Sequence, residues 1–377
     1  MDVTRPLALL GGLTAAQFMK RHWQKKPLLV RGALPGFAPL LSRAQLFALA
    51  AKDEVESRLV ARAGRQWQFR RGPFQRRALP PLARPNWTLL VQGVDLHHQG
   101  AHELLSRFRF LPQARLDDLM ISYAADGGGV GPHFDSYDVF LLQAQGRRRW
   151  RFGRQDDLGL LPELPLKILA RFEPEAEFVL EPGDMLYLPP RYAHDGIALG
   201  ECQTYSIGFR SPAGAELARE LLQRLSEDAA EAAGERRYRD PMQAATAAPG
   251  AIPAPLQQFA RAALAAALRD PLALERVLGE SLSEPKPSVW FEGAAAAGLD
   301  AGVMLDRRTR MMYDRSHVFI NGESHRASGR DAALLRTLAD DRRLDAGQLA
   351  RASAAARSLL AAWQQAGWLQ PAAEPRP

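Results

Sequence analysis

The chain has 377 residues, 46% of them hydrophobic, with a single cysteine and a formal net charge of +7. That length points to two or three domains with ample core material, and one cysteine rules out a disulfide framework and fits a reducing cytoplasm. No window reaches the roughly 18 consecutive apolar residues of a membrane helix, and Met1–Leu13 lacks a basic start followed by a long apolar run, so a soluble cytosolic protein with no membrane partner is expected.

In chain order, Thr14-Ala15-Ala16-Gln17 reads as a capping box opening a helix through Phe18, Met19 and Trp23. Lys25-Lys26-Pro27 ends it, and Leu28-Leu29-Val30 starts a strand. A mixed segment to about Pro85 follows, and within it Arg58 to Arg84 holds eight arginines and no Asp or Glu, interleaved with Trp67, Phe69 and Phe74. Such a run reads either as a patch that attracts an acidic partner such as nucleic acid, or as a solvated arginine-rich face. Trp87–Val91 then opens a strand-rich core expected to run to about Arg210.

Within that core the glycine run Gly127-Gly128-Gly129 leads into Gly131-Pro132-His133-Phe134-Asp135, answered far downstream by Pro189-Pro190-Arg191-Tyr192-Ala193-His194. A His-x-Asp pair and one distant His form the protein half of a facial triad, which holds one face of a non-heme Fe(II) and leaves the other open. Two residues apart on a strand, His133 and Asp135 point to the same side of a sheet, and a small barrel can return the third ligand to the same place. Val139–Leu142 reads as an apolar strand, Ala144-Gln145-Gly146 as its turn and Arg147–Phe152 as the returning strand of a hairpin. In the returning strand Arg148 shares parity with Trp150 and Phe152, so it faces the barrel interior. An inward guanidinium needs a partner: a bound dicarboxylate, or a structural Asp or Glu. Glu181-Pro182-Gly183-Asp184 reads as a type II turn, and Met185–Leu188 as a short buried strand delivering the last His. His97-His98 and His102 make a poor second metal site because adjacent histidines diverge. No Ser-His-Asp or Cys-His arrangement is apparent, and Cys202 has no helpful neighbour.

After Ser211-Pro212 the pattern changes. Leu217, Leu221 and Leu225, then Leu256, Phe259, Ala263, Leu264 and Leu268, recur at helical spacing, so residues 213–283 read as helical, with an Ala/Pro-rich linker from Ala244 to Pro255. From about Val289, Val303–Met312 and Val318–Ile320 read as a hairpin across Asp314-Arg315-Ser316, Asn321-Gly322 as another turn, and Asp331–Ala339 and Leu349–Gly367 as helices. Arg336 is accompanied by Asp331, Asp340, Asp341 and Asp345, a mixture that suits a protein contact or scaffold better than a phosphate-binding face.

These residues resemble the JmjC-type cupin 2-oxoglutarate oxygenases. The likeness is greatest to the bacterial ribosomal oxygenases that hydroxylate an arginine of large-subunit ribosomal protein L-sixteen. The resemblance rests on ordered blocks spanning most of residues 20–210, among them Trp23–Leu29, Trp87–Gln92, Asp117–Tyr123, Gly127–Phe140, Gly146–Trp150, Glu181–His194 and Tyr205–Arg210. It implies a mainly β core with α additions: a double-stranded β-helix (cupin/JmjC) barrel over 1–212, a helical dimerisation region over 213–288 and a winged-helix-like domain over 289–377. It further implies Fe(II) on His133, Asp135 and His194, with Arg148 holding the distal carboxylate of 2-oxoglutarate, Ser122 as a second contact to that cosubstrate, and no catalytic residue beyond the metal centre. The expected partners are ribosomal protein L-sixteen as substrate and a second copy of the chain. Tyr137, Asp138, Asp118 and Asp126 are the candidates for receiving a guanidinium. The competing readings are a histidyl hydroxylase or demethylase acting on another protein, and a non-catalytic metal-binding cupin with a winged-helix regulatory role.

Overall fold

The computed structural model describes residues 2–64, 66–162, 164, 166–293, 298 and 302–372, and the chain divides into two compact units, Met1–Ser211 and Pro212–Pro377.

The first unit opens with α1 (Ala15–Arg21), whose capping box between Thr14 and Gln17 forms as expected. β1 (Leu28–Val30) follows, then α2 (Arg43–Leu49), started by a second capping box between Ser42 and Gln45. Next come β2 (Ser57–Ala63), β3 (Gln66–Arg71), β4 (Trp87–Val91), α3 (Val94–His97), α4 (Gln99–Ser106) and β5 (Leu116–Ala124). The unit closes with β6 (Val139–Gly153), β7 (Ala176–Leu180), β8 (Met185–Leu188) and β9 (Ala193–Phe209). All nine strands join one antiparallel sheet in the order β1-β8-β6-β9-β5-β4-β2-β3, with β7 paired to β6. This is the mainly β barrel core that the sequence implied.

Two sequence expectations need correction here. The strand-rich core starts at Ser57, not Trp87: β2 and β3 extend the sheet beyond β4, and the arginines and glutamines they carry hid the pattern. The hairpin across Ala144–Gly146 does not exist either. β6 runs unbroken for 15 residues, paired with β9 on both sides of an irregularity at Gln143–Arg147. Gly146 takes φ +62° there, and the Gln143 side chain donates to the carbonyls of Gln145 and Gly146, so the chain bulges instead of reversing. The bulge bends the strand, and β6 pairs with β8 before it and with β7 after it. Because Arg147–Phe152 is regular beyond the bulge, the parity argument survives: Arg148, Trp150 and Phe152 are buried and Arg147 is exposed.

The helices close one side of this sheet. Phe18 of α1 packs edge-on against Tyr187 at 5.0 Å, and Phe140 lies 4.9 Å from both Tyr187 and Phe108. Each fully buried aromatic of this cluster contributes on the order of 1.5–3 kcal/mol by leaving water. The result is a rigid base under the first residues of β6, immediately after the His-x-Asp motif.

In the second unit α5 (Gly214–Ala233), α6 (Ala254–Ala267) and α7 (Ala273–Ser283) confirm the helical reading. The stretch Val303–Met312 is not one strand. β10 (Val303–Leu305) and β11 (Met311–Tyr313) are separated by a turn in which buried Asp306 accepts from the Arg308 guanidinium. β11 pairs with β12 (His317–Ile320) across Asp314–Ser316 as expected, and Asn321-Gly322 leads to β13 (Glu323–Arg326). α8 (Gly329–Asp341), β14 (Arg343–Leu344), α9 (Ala346–Ala350), α10 (Ala354–Gln365) and β15 (Leu369–Pro371) complete the chain, with β10 between β14 and β15 in a separate sheet. The expected helix over Leu349–Gly367 is thus two, because Ser353 stops one and caps the next. Arg336 stacks on Tyr313 and donates to the carbonyls of Asp314 and Arg315, tying α8 to the hairpin rather than facing outward. Among the described residues no helix is long and apolar enough to cross a membrane.

Candidate metal centre

His133 and Asp135 do not lie on a regular strand, as the spacing suggested; they occupy the loop between β5 and β6. What orients His133 is a single antiparallel bridge to the start of β9. Its N–H donates to the His194 carbonyl at 3.0 Å, and the His194 N–H returns the bond at 2.8 Å. The loop is held close to β9 by Gly129, where a Cβ would stand 2.6 Å from the Gly196 carbonyl oxygen. The Arg191 N–H donates to the Asp135 carbonyl at 2.8 Å, closing the loop from its other end.

These constraints bring the ligand atoms of His133, Asp135 and His194 within 4.8 Å of one another, the one such group found among the described residues. The imidazoles lie 4.3 Å apart at their centroids, and His194 Nε2 is 3.7 Å from Asp135 Oδ2. Both rings donate from Nδ1 to backbone, His133 to the Gly131 carbonyl at 2.8 Å and His194 to the Tyr192 carbonyl at 3.0 Å. That tautomer leaves each Nε2 lone pair free for a cation, the usual outer support of a metal-binding histidine. Burial, followed by the neighbouring His133, lowers the His194 pKa to about 4, so the ring is neutral and ready to ligate at pH 7. Two neutral imidazoles and one carboxylate on a single face fit a divalent iron with open positions opposite.

The three ligands face a cavity of about 510 Å³. At its closed end lies Arg148, only 3% exposed. Its guanidinium donates to Ser122 Oγ at 2.8 Å and to the Gly196 carbonyl at 3.2 Å and lies over the Trp150 ring, while Nε finds no partner. Among the described residues no carboxylate pairs with it. Burial lowers its pKa, as expected of a charge short of compensation. Of the two partners the sequence left open, the structural acid is absent, and space for a dicarboxylate is present. Ser122 lies directly opposite Thr204 in the β5–β9 ladder, and both line the cavity beside Arg148.

At the open end Tyr137 and Asp118 line the cavity as anticipated, with Asp118 held by a bond from the Gly93 N–H at 2.9 Å. The other two candidates are corrected. Asp138 is fully buried on the opposite side of β6, where it accepts from Tyr187 Oη at 2.6 Å and Gln24 Nε2 at 3.1 Å and faces Arg115. Asp126 is exposed away from the cavity and accepts from the Gly200 N–H at 2.7 Å. The sequence reading missed Asp117, Arg58, Met120 and Lys167, all of which line the cavity. The parity of Asp118, Met120 and Ser122 on β5 was a usable signal for Met120. Asp117 reaches the same cavity through a register shift between Leu116 and Leu119, which no pattern announces.

The chain was compared with known proteins. A JmjC domain model matches residues 103–217 and a ROXA-like winged-helix model matches residues 266–370. The ribosomal protein uL16 3-hydroxylase of Escherichia coli is 44% identical over 203 residues, 53% of this chain and 53% of that protein. A probable ribosomal oxygenase of Haemophilus influenzae is 36% identical over 207 residues, 53% of this chain and 50% of that one. The chain thus aligns with about half the length of these curated relatives. Solved structures match further: E. coli YcfD superimposes with a TM-score of 0.81 at 32% identity, covering 95% of this chain and 98% of that one. The same ribosomal oxygenase in complex with cobalt and 2-oxoglutarate gives 0.78 at 31% identity over the same shares.

Proposed function

We propose that this chain, which belongs to the JmjC-domain ribosomal oxygenases, is an Fe(II)- and 2-oxoglutarate-dependent protein hydroxylase acting on an arginine side chain of ribosomal protein uL16 (L-sixteen). The observation that carries the reading is the pairing, in one cavity, of a His133–Asp135–His194 face with a buried Arg148 that has no carboxylate partner among the described residues. Iron with 2-oxoglutarate supplies, when bound, oxidation of the cosubstrate by O2 to succinate and CO2 with insertion of one oxygen atom into a substrate C–H bond.

The residues divide the remaining work. His133, Asp135 and His194 would hold the metal by one face. The Arg148 fork would receive the distal carboxylate of the cosubstrate, with the Ser122 hydroxyl beside it. Trp150, Leu141 and Val139 keep that end of the cavity apolar and exclude water. No side chain has to move a proton, so catalysis rests on positioning one carbon near the open coordination positions. Asp118 on the cavity wall favours a cationic target over a neutral imidazole, with Asp117 beside it shared with Arg210, and Tyr137 offers a ring face to the same guanidinium.

The domain scheme 1–212, 213–288 and 289–377 is part of this proposal, with association of two copies through the helical region and a cytoplasmic setting. Leu222 of α5, Leu264 of α6 and Leu268 just past the end of α6 are more than half exposed, as an apolar face awaiting a second copy would be. The basic segment is assigned to a ribosomal RNA contact. The test of activity is intact-protein mass spectrometry of uL16 incubated with the enzyme, Fe(II), 2-oxoglutarate and O2, with Asp135→Ala as control. One added oxygen on an arginine, absent in the control, is the expected outcome. Succinate without a mass gain would discard the substrate and keep the reaction class.

A further inference from the structure

β3 is an edge strand of the nine-stranded sheet, and residues 58–84, from β2 through β3 towards β4, hold eight arginines and no acidic residue. Arg62, Arg70, Arg71, Arg76, Arg77 and Arg84 are all exposed, and none has a carboxylate partner among the described residues. Arg65 lies outside the described residues. Several other arginines of the unit are neutralised, Arg31 by Asp184, Arg43 by Glu201, Arg151 by Asp195 and Arg210 by Asp117, as is Arg58 by Glu56 at the start of the segment.

The unpaired guanidiniums are also ordered in advance. Arg62 lies over the Trp67 ring at 5.5 Å, Arg70 over Phe74 at 5.4 Å and Arg76 over Phe47 at 5.5 Å. Arg70 further donates to the Ala78 carbonyl at 3.1 Å. A guanidinium flat on a ring keeps its N–H edges free and has already lost most of the rotamer freedom that binding would otherwise cost. On the face where Leu59 pairs with Arg70 and Ala61 with Gln68, a recess of about 120 Å³ opens between Gln68, Arg70 and Arg84, walled by Leu79 and Pro80. It presents two positive forks and an amide around a space suited to a tetrahedral oxyanion. It is also a different opening from the metal cavity, which Arg58 lines in its ion-paired state.

From this geometry we propose that the β3 edge is a binding surface for single-stranded RNA, with one backbone phosphate seated between Arg70 and Arg84 and neighbouring phosphates met by the other arginines. The segment 58–84 contains no lysine, which suits bidentate phosphate recognition over diffuse attraction to an acidic protein. A membrane surface is disfavoured because Leu82, at 38%, is the one large hydrophobic side chain of the segment exposed among the described residues. The phosphodiester chemistry is common to RNA and DNA, and the choice of RNA rests on the ribosomal reading of the chain; the surface itself does not depend on the oxygenase chemistry. A basic protein substrate would be repelled here when free, yet could arrive still attached to its own RNA.

The experiment uses the full chain and a fluorescein-labelled single-stranded RNA of about 12 nucleotides, followed by anisotropy across a salt series. Log affinity should fall linearly with log salt. Arg70→Gln/Arg84→Gln should reduce that slope by about 1.4, two contacts at about 0.7 each. Arg70→Lys/Arg84→Lys should keep the slope but bind more weakly, because the charge remains and the fork is lost. Arg315→Gln/Arg330→Gln, the same charge removed from the other unit, should leave binding unchanged. Absence of RNA binding, equal weakening by the remote pair, preference for DNA of the same length, or tighter association with anionic vesicles than with RNA would each overturn the proposal. Succinate release measured on the same variants keeps the two readings separate, since neither Arg70 nor Arg84 lines the metal cavity.

Discussion

Replacing Arg148 by Met separates a ligand-binding arginine from a structural one. In the parent, the guanidinium gives up solvation at a cost of several kcal/mol for a buried ion. It recovers charge-assisted hydrogen bonds to Ser122 and Gly196, at about 1.5–3 kcal/mol each, a longer and weaker one to Thr204 Oγ1 at 3.4 Å, and stacking on Trp150 at about 0.5–2 kcal/mol. Both nearby hydroxyls keep partners in the variant: Ser122 Oγ donates to the Thr204 carbonyl and Thr204 Oγ1 to Gln143 Oε1. The terms therefore nearly cancel, and Arg148→Met should change stability by no more than about 2 kcal/mol in either direction when no cosubstrate is present. Cosubstrate binding should behave oppositely. Stripping a buried carboxylate of its charged partner costs about 2–5 kcal/mol, a loss of roughly 30-fold to several thousand-fold. Urea unfolding without ligand gives the first quantity, and anaerobic titration calorimetry of 2-oxoglutarate into Mn(II)-loaded protein gives the second. Unchanged 2-oxoglutarate binding, or a stability loss well beyond about 3 kcal/mol, would refute the argument and make Arg148 a structural keystone.

Three other perturbations test separate parts of the site. Gly129→Ala places a Cβ against the Gly196 carbonyl and should push the His133 loop off β9, weakening Mn(II) binding by roughly tenfold or more at a stability cost of about 1–3 kcal/mol; unchanged metal affinity by calorimetry would show that the loop tolerates the shift. Burial alone would raise the Asp184 carboxyl, but the N–H groups of Gly32 and Glu181 and the Arg31 guanidinium together hold it below the usual range. Its contribution is therefore full above the unfolded value near 3.9 and is lost as pH falls through the lower folded value. Asp184→Ala should cost about 1–3 kcal/mol at pH 7 and progressively less below about pH 4, and urea curves showing a penalty that grows on acidification would contradict this. Asp118→Asn keeps an acceptor for the Gly93 N–H and removes only the charge, so the KM for a basic peptide should rise about tenfold with peptide-free succinate release unaltered, and an equal fall in both rates would assign Asp118 to the scaffold.

Much of the site was legible because its signals are local. The turn at Glu181–Asp184, the buried strand after it and the parity of Arg148 with Trp150 each depend on a few consecutive residues and one repeat of two. The assumed hairpin across Ala144–Gly146 failed although its residues suit a turn. A glycine with positive φ serves a bulge as well as a reversal, and only the partner strand decides; β9 continues past the irregularity and keeps β6 paired on both sides of it. Residues 57–71 failed for the opposite reason. β3 is an edge strand with no second neighbour to require apolar side chains, so arginine and glutamine replace its alternation, and β2 beside it reads buried on both faces at Leu59–Ala61 and shows no alternation either.

The substrate candidates show the limit most clearly. Asp138 and Asp118 looked equivalent in the sequence, each an acid near the ligand motif or its neighbouring strand. In the ladder they are opposites, because Val139 and Leu141 line the cavity and Asp138, one residue away, must face the other side with Phe140. Parity on β6 would have excluded Asp138, just as parity on β5 groups Asp118 with Ser122. Asp117 escapes the rule through the register shift beside it, which turns two adjacent carboxylates toward one cavity. The irregularity in that position therefore sets two carboxylates side by side on the cavity wall, one of them shared with Arg210, and their placement belongs to the backbone geometry as much as to the residue types.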